Sequence, residues 1–287
     1  MDTYVVCRNL IKAFGIFGFL VSSGCRYDNG ERVREKPVAK VITLAERTSG
    51  YRGSIEAWRE FLTCWYEAYR GRYQELLLED ADLPDLPILG KYKFEHIGQQ
   101  SDQDMLKAIG GLEDSLGVNL PKSYIDFLVA YQPPVIAPQP VPWGTSIRGL
   151  YSLSQVNRFS ILEPELFKVA EEYAITSSDS EYFVYGMGQR YENGRTSNLK
   201  DALVVGKYGD SSYELIVLYP QVRTMDGEME AALHYHAGEF RAPSFAELMR
   251  QLSIMEISTV DHVPPYPQEI LKGTCADKLP IADAWWE

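Results

Sequence analysis

Chemistry, if this chain performs any, would be sought first at its four histidines, His96, His234, His236 and His262. His234 and His236 stand two apart in a strand-like run, so their side chains share one face. With Asp261 or Glu239 as a third ligand they could hold a metal ion. A metal site needs three or four ligands at consistent spacing, and nothing in the sequence marks the others. The pair therefore reads as a polar strand face, and no metal is expected. Gly186-Met-Gly188 lacks the third glycine and the following helix of a dinucleotide loop. Gly144-Thr-Ser-Ile-Arg-Gly149 places a serine between glycines, but at the wrong spacing for a nucleophile elbow. Cys64 has no marked histidine partner, which leaves a thiol nucleophile unsupported. Acidic pairs such as Glu171-Glu172 read as solvated helix positions. No catalytic residue and no cofactor is expected.

The elements that would position these residues follow from periodicity. Ser54 is placed to cap a helix. Ile55, Trp58, Leu62, Trp65, Tyr69, Tyr73 and Leu76 then recur at steps of three or four, one apolar face. Asp80 to Pro87, with two prolines, ends that helix. A second helix spans about 103–116, and Gly117 closes it. Pro121 can open a third, with Tyr124, Phe127, Leu128 and Tyr131 on its inner face. Five prolines between Pro133 and Pro142 require an extended or looped path up to Trp143-Gly144. A helix is expected over 163–173. Strands are expected over 182–187, 202–207, 213–219 and 230–236, where β-branched and aromatic residues concentrate. Gly209-Asp210-Ser211-Ser212 would turn the second of these strands into the third as a hairpin. Ser244 caps a last helix, and a Pro-bearing tail follows from Asp261.

Composition bounds the whole. The chain has 287 residues, 45% of them hydrophobic and 24% charged, which is ordinary globular composition. That excludes a wholly disordered chain, a collagen-like fibre and a simple coiled coil. The net charge is -12. Residues 1–100 balance 14 basic against 14 acidic residues, so the whole excess lies in 101–287. Phosphate binding needs a positive footprint, so nucleic acid is not an expected partner. The acidic part reads either as a solubilising surface or as a face aimed at a basic protein.

The first 25 residues carry Arg8 and Lys12, then an apolar run from Ala13 to Val21, then Ser22-Ser23-Gly24-Cys25. Basic, apolar, small is the order of a secretory signal. The run is shorter than the roughly 20 apolar residues of a membrane-spanning helix. Small residues before Cys25 resemble a bacterial lipoprotein signal. The resemblance implies cleavage before Cys25 and lipidation of its sulfur, the only membrane contact expected, with the protein in the bacterial cell envelope. The alternative is a buried N-terminal element of a cytoplasmic protein. In a mature chain starting at Cys25, Cys64 and Cys275 would be the remaining thiols, free or paired.

From about 103 to 254 the order of pieces resembles the SMI1/KNR4 superfamily, also called SUKH. The carrying residues are Ile109-Gly-Gly-Leu-Glu113, then Leu116, Gly117, Leu120, Pro121, Tyr124, Phe127 and Leu128 in an "LG..LP..Y..FL" pattern. Gly149-Leu150, the strand and turn from Val204 through Gly209 and Asp210, the strand 213–218 and the helix from Ser244 follow in family order. The resemblance implies an α+β fold, a central, mostly antiparallel sheet flanked by helices. Helices first, strands next and a helix last is also what periodicity alone suggests. The corresponding division is a signal over 1–24, a tether with a helical extension over 25–95, the SMI1/KNR4-like domain over 96–255 and a Pro-rich tail over 256–287.

The resemblance further implies a non-catalytic binding protein. Bacterial members are implied to be immunity proteins that neutralise polymorphic toxins, and the expected partner is a basic toxin domain. A scaffold or interaction module in the cell envelope is the alternative. Trp143, Tyr151 and Tyr213 are candidate anchors, because Trp and Tyr are enriched at binding hot spots. Core packing is an equal expectation for each.

Overall fold

Three helices come first, and each starts and stops where its side chains demand. In the computed structural model, residues 44–79, 100–133, 149–208, 214–235, 238–257 and 264–281 are described, the backbone alone over 73–79. Helix α1 (Ile55–Glu79) begins after Ser54, whose Oγ accepts the Ala57 N–H at 3.2 Å. Helix α2 (Asp102–Leu116) is capped by Ser101, whose side chain accepts the Asp104 N–H. It stops at Gly117, where φ is 64° and the backbone N–H donates to the Glu113 carbonyl. That left-handed conformation favours glycine. Helix α3 (Lys122–Tyr131) starts one residue later than the sequence suggests, with Pro121 as its cap rather than in its first turn.

A run of short elements follows: strand β1 (Asn157–Arg158), then helices α4 (Phe159–Leu162), α5 (Pro164–Glu172), α6 (Asp179–Tyr182) and α7 (Thr196–Leu199). Strands β2 (Leu203–Lys207), β3 (Leu215–Arg223), β4 (Met229–Tyr235) and β5 (Gly238–Ala242) complete an antiparallel sheet in the order β1-β2-β3-β4-β5. Helix α8 (Phe245–Ile257) packs back on it, with Ser244 Oγ accepting the Glu247 N–H at 3.2 Å. A last turn, α9 (Gln268–Leu271), precedes a 3-10 turn at Cys275–Lys278. The fold is α+β, as expected. None of the described helices is long and apolar enough to cross a membrane.

The sheet is covered on both faces. Leu203, Val205, Ile216, Leu218, Ala231, Leu233 and Phe240 join one core with α1, α3 and α8. The alternate residues Val204, Leu215, Val217, Tyr219 and Ala232 join a second core with Phe159, Tyr182, Tyr185 and Leu199. Period-two alternation with both faces buried explains why these strands read as nearly continuous apolar runs. The first core is aromatic. Trp58 meets Phe127 at 5.2 Å and Phe245 at 5.7 Å between ring centroids, and Tyr124 meets Phe245 at 4.9 Å. Edge-on and tilted pairs of this kind add about 0.5–1.5 kcal/mol each beyond burial.

Helix α1 and the tail share that core. Trp58, Phe61, Leu62 and Trp65 are fully buried in it, as are Leu279 and, nearly so, Cys275. A disulfide joins Cys64 of α1 to Cys275, with 5.5 Å between the Cα atoms.

The expected strand over 182–187 is absent. Ser178 and Glu181 form a capping box that starts α6, and Gly186–Gly188 is a 3-10 turn. The segment is aromatic because Tyr182 and Tyr185 point onto the sheet, not because it belongs to it. Ser178-x-x-Glu181 has the spacing of a helix start, and the capping box prevails over the β-propensity of the aromatic run. Strands β1 and β5 were not expected, β1 because two residues carry no pattern. The turn at Gly209 and Asp210 lies outside the described residues, while β2 and β3 pair antiparallel as a hairpin requires.

Candidate functional site

The residues that carry the resemblance build the fold. Leu116, Leu120, Tyr124, Phe127 and Leu128 are buried in the aromatic core. Gly117 and Pro121 are caps. Gly149 is required for close approach: a Cβ there would lie 1.7 Å from the Lys207 carbonyl oxygen. It lets Leu150 bridge to Gly206 of β2. The buried ones among them offer no binding surface. Among the candidate anchors, Tyr151 is half-buried, touches both cores and donates its backbone N–H to the Val205 carbonyl at 2.8 Å. Burial and the nearby Glu163 push its hydroxyl up to about 12. Trp143, Tyr213 and Cys25 lie outside the described residues.

The histidine idea meets a buried environment. Burial pushes His234 down to about 4, so it is neutral at pH 7. Its Nδ1 stands 4.0 Å from Glu239 Oε2, and its ring meets Phe159 edge-on at 5.7 Å. His236 and Asp261 are not among the described residues, and no group of three or more metal-ligating side chains occurs among those that are. Cys64 is held in the disulfide, so it offers no thiolate.

Sequence reasoning missed a polar centre between the sheet and the layer of short helices. Glu230 on β4 and Arg241 on β5 are fully buried, and Glu239 nearly so. The Glu230 carboxylate accepts hydrogen bonds from the hydroxyls of Tyr182 and Tyr185. Glu239 accepts from the Tyr219 hydroxyl at 2.5 Å. The Arg241 guanidinium lies 3.8 Å from Glu230 and 3.7 Å from Glu239, and 4.1 Å above the Tyr182 ring. It also donates to the Tyr182 carbonyl. Desolvation dominates the electrostatics. It pushes Glu230 up to about 7 despite the pull of Arg241, and raises Glu239 in the same way. Along β4 Glu230, Ala232 and His234 share one face, a pattern that by itself matches a solvated strand face. The centre is sealed from solvent, so it clamps α6 to the sheet and does not meet a dissolved substrate.

The outer surface of the same layer has a different character. Ile161, Val169, Tyr173, Ile175 and Met187 are large apolar side chains facing solvent, Tyr173 at 72% exposure. Five of the eight such residues among those described fall within 161–187, so the exposure is concentrated. Glu165, Glu171 and Glu172 are exposed on α5 and its end. None of the three makes an ion pair among the described residues. Lys168 is the one basic residue from Glu163 to Glu181. Helix α5 turns Leu166, Phe167 and Ala170 inward to the second core, which leaves Val169 and the glutamates outward. Exposed apolar side chains among mostly acidic neighbours are the composition of a protein-binding surface.

No protein family, no curated protein and no solved structure matches this chain.

Proposed function

We propose that the chain is a non-catalytic binding protein of the SMI1/KNR4 type, an immunity protein that captures and neutralises a basic toxin domain. One observation carries the reading: exposed apolar side chains and free carboxylates concentrate on the layer from Ile161 to Met187. Such a surface takes up a cationic partner faster than a neutral one, and its apolar centre supplies affinity once water is excluded. The resemblance of Leu116 to Leu128 and the pieces after it supplies the family, and the family supplies the toxin. The test is survival. Cells lacking this gene, challenged by neighbours carrying a toxin encoded beside it, should die and be rescued by the wild-type gene. Unchanged survival against every such toxin would sink the reading.

A second reading, an envelope-anchored interaction module, draws on the disulfide. Disulfides persist in oxidising compartments such as the periplasm, and Cys64–Cys275 suits a chain exported and lipidated at Cys25. Cys25→Ser should abolish radiolabelled-palmitate incorporation. Persistent full-length, unlabelled wild-type protein would remove the anchor and favour a cytoplasmic protein.

A further inference from the structure

Beyond the surface of α5, the described residues enclose a partly open cleft of about 160 Å³ on the edge of the sheet. An engineered cavity of roughly 150 Å³ accepts a benzene ring, so this cleft has room for a head group of similar size. Its walls are aromatic: Tyr191, Tyr208, Tyr235 and Phe240. Tyr191 and Tyr235 stand 6.0 Å apart with their planes at 64°, so the two rings form a corner. The tyrosines are held from behind. The Tyr191 hydroxyl donates to the Pro264 carbonyl, and its own carbonyl accepts the Glu239 N–H at 2.9 Å. Gly238 permits that approach, since a Cβ there would fall 2.2 Å from the Tyr191 carbonyl oxygen. The Tyr208 hydroxyl reaches the Met255 sulfur at 3.9 Å.

Charge completes the picture. Glu214 lines the cleft, and no lysine or arginine does so among the described residues. Burial first, and then the carboxylates of Glu256 and Glu214, raise the Tyr208 hydroxyl; burial, Tyr191, Glu239 and Glu192 raise that of Tyr235. Aromatic faces carry negative potential and attract cations, most strongly where water is excluded. An apolar ligand would gain from the rings but nothing from the carboxylates. A phosphate or carboxylate ligand would be repelled.

We propose that this cleft binds the head of an organic cation, a trimethylammonium or guanidinium group, with the tyrosine rings around it and Glu214 beside it. The site does not depend on the immunity reading, and either can fail alone. The source of the cation, a free small molecule or a side chain of a basic protein, is decided by the probes.

The experiment uses the full chain with its methionine methyl groups labelled with carbon-13, and follows Met255 by NMR. Choline, tetramethylammonium and N-acetyl-arginine methylamide are titrated in turn. The neutral isostere of choline, 3,3-dimethylbutan-1-ol, is the control. Saturable movement of the Met255 methyl by a cation, with the neutral alcohol at least about fivefold weaker, is the expected result. Preference for choline points to a small molecule, and preference for the arginine amide points to a protein side chain. Glu214→Gln and Tyr235→Leu should each weaken the preferred cation about threefold or more while circular dichroism is unchanged. Equal binding of the neutral alcohol would overturn the proposal, as would no saturable movement with any cation up to tens of millimolar. The wild-type comparison decides the matter even if a variant fails to fold.

Discussion

Arg241→Met tests the sealed centre between the sheet and the short helices. Arg241 has no exposed side-chain surface and lies 3.8 Å and 3.7 Å from two carboxylates that are themselves buried. At an effective dielectric of about 20, a unit-charge pair at this separation is worth roughly 4 kcal/mol. Removing the cation leaves the carboxylates to ionise unaided or to take up protons. Breaking a buried pair in this way costs about 3–5 kcal/mol. The cost must depend on pH. Glu230 already holds its proton up to about pH 7 with Arg241 present. Without Arg241 both carboxyls hold protons to higher pH still, and each proton retained above its unfolded pKa costs about 1.4 kcal/mol per pH unit. Near pH 8.5 the full loss is therefore expected, and near pH 5.5, where Glu230 is protonated in both proteins, about half of it or less. In urea, with an m-value near the upper end of about 3 kcal/mol/M, the midpoint should fall by roughly 1–1.7 M at the higher pH. The assay is far-ultraviolet circular dichroism at both pH values, with Glu230→Gln/Arg241→Met as the partner variant that should recover much of the loss. A midpoint shift that is the same at both pH values would show that Arg241 does not neutralise these carboxylates, and the electrostatic account would fail.

Four further outcomes follow from the same structure. The Cys64–Cys275 bridge closes a separation of 211 residues, so by chain entropy its loss costs up to about 5 kcal/mol; Cys64→Ala/Cys275→Ala with an unchanged urea midpoint would contradict it. His234 has its folded pKa depressed from 6.5 to about 4, so its contribution is present above about pH 6.5 and is lost as pH falls toward 4. His234→Phe should flatten the acid limb of an unfolding titration by about 1–3 kcal/mol between those limits. Gly149→Ala must displace the Lys207 backbone and should cost about 2–3 kcal/mol, read as a lower thermal midpoint. Tyr173→Ala with Glu172→Lys touches only exposed groups, so stability should hold within about 0.5 kcal/mol. Partner binding should nonetheless weaken about tenfold or more by calorimetry.

Much of the helical framework is legible in the residues alone. Ser54 and Ser244 each stand at an expected helix start and accept the N–H three residues on, as Ser101 does for α2, whose cap the periodicity alone does not mark. Gly117 marks a stop because the chain there needs positive φ. The candidate surface is legible only in part. Glu171-Glu172 reads as solvated, which it is, but nothing in the sequence separates exposed Val169 from the inward Phe167 and Ala170 without knowing where the second core lies. The run 182–187 misleads because aromatic density is shared by strands and by anchors that pack onto strands. Glu230 and Arg241 are hidden for a related reason: charged residues in a strand pattern imply solvent, and only a second covering layer makes them interior.

By itself the sequence determined those properties that depend on neighbours along the chain. The starts of α1 and α8, the stop at Gly117, the hairpin order of β2 and β3, the α+β class and the lopsided charge are all of this kind. Cys64 meets Cys275, Glu230 meets Tyr182 and Arg241, and Tyr191 meets Tyr235 only through the tertiary structure. Those partners lie far apart in sequence or in different elements, and local propensity carries no information about which two faces will be pressed together. Burial then assigns the chemistry at these two sites, because packed layers that exclude water are what raise Glu230 and lower His234.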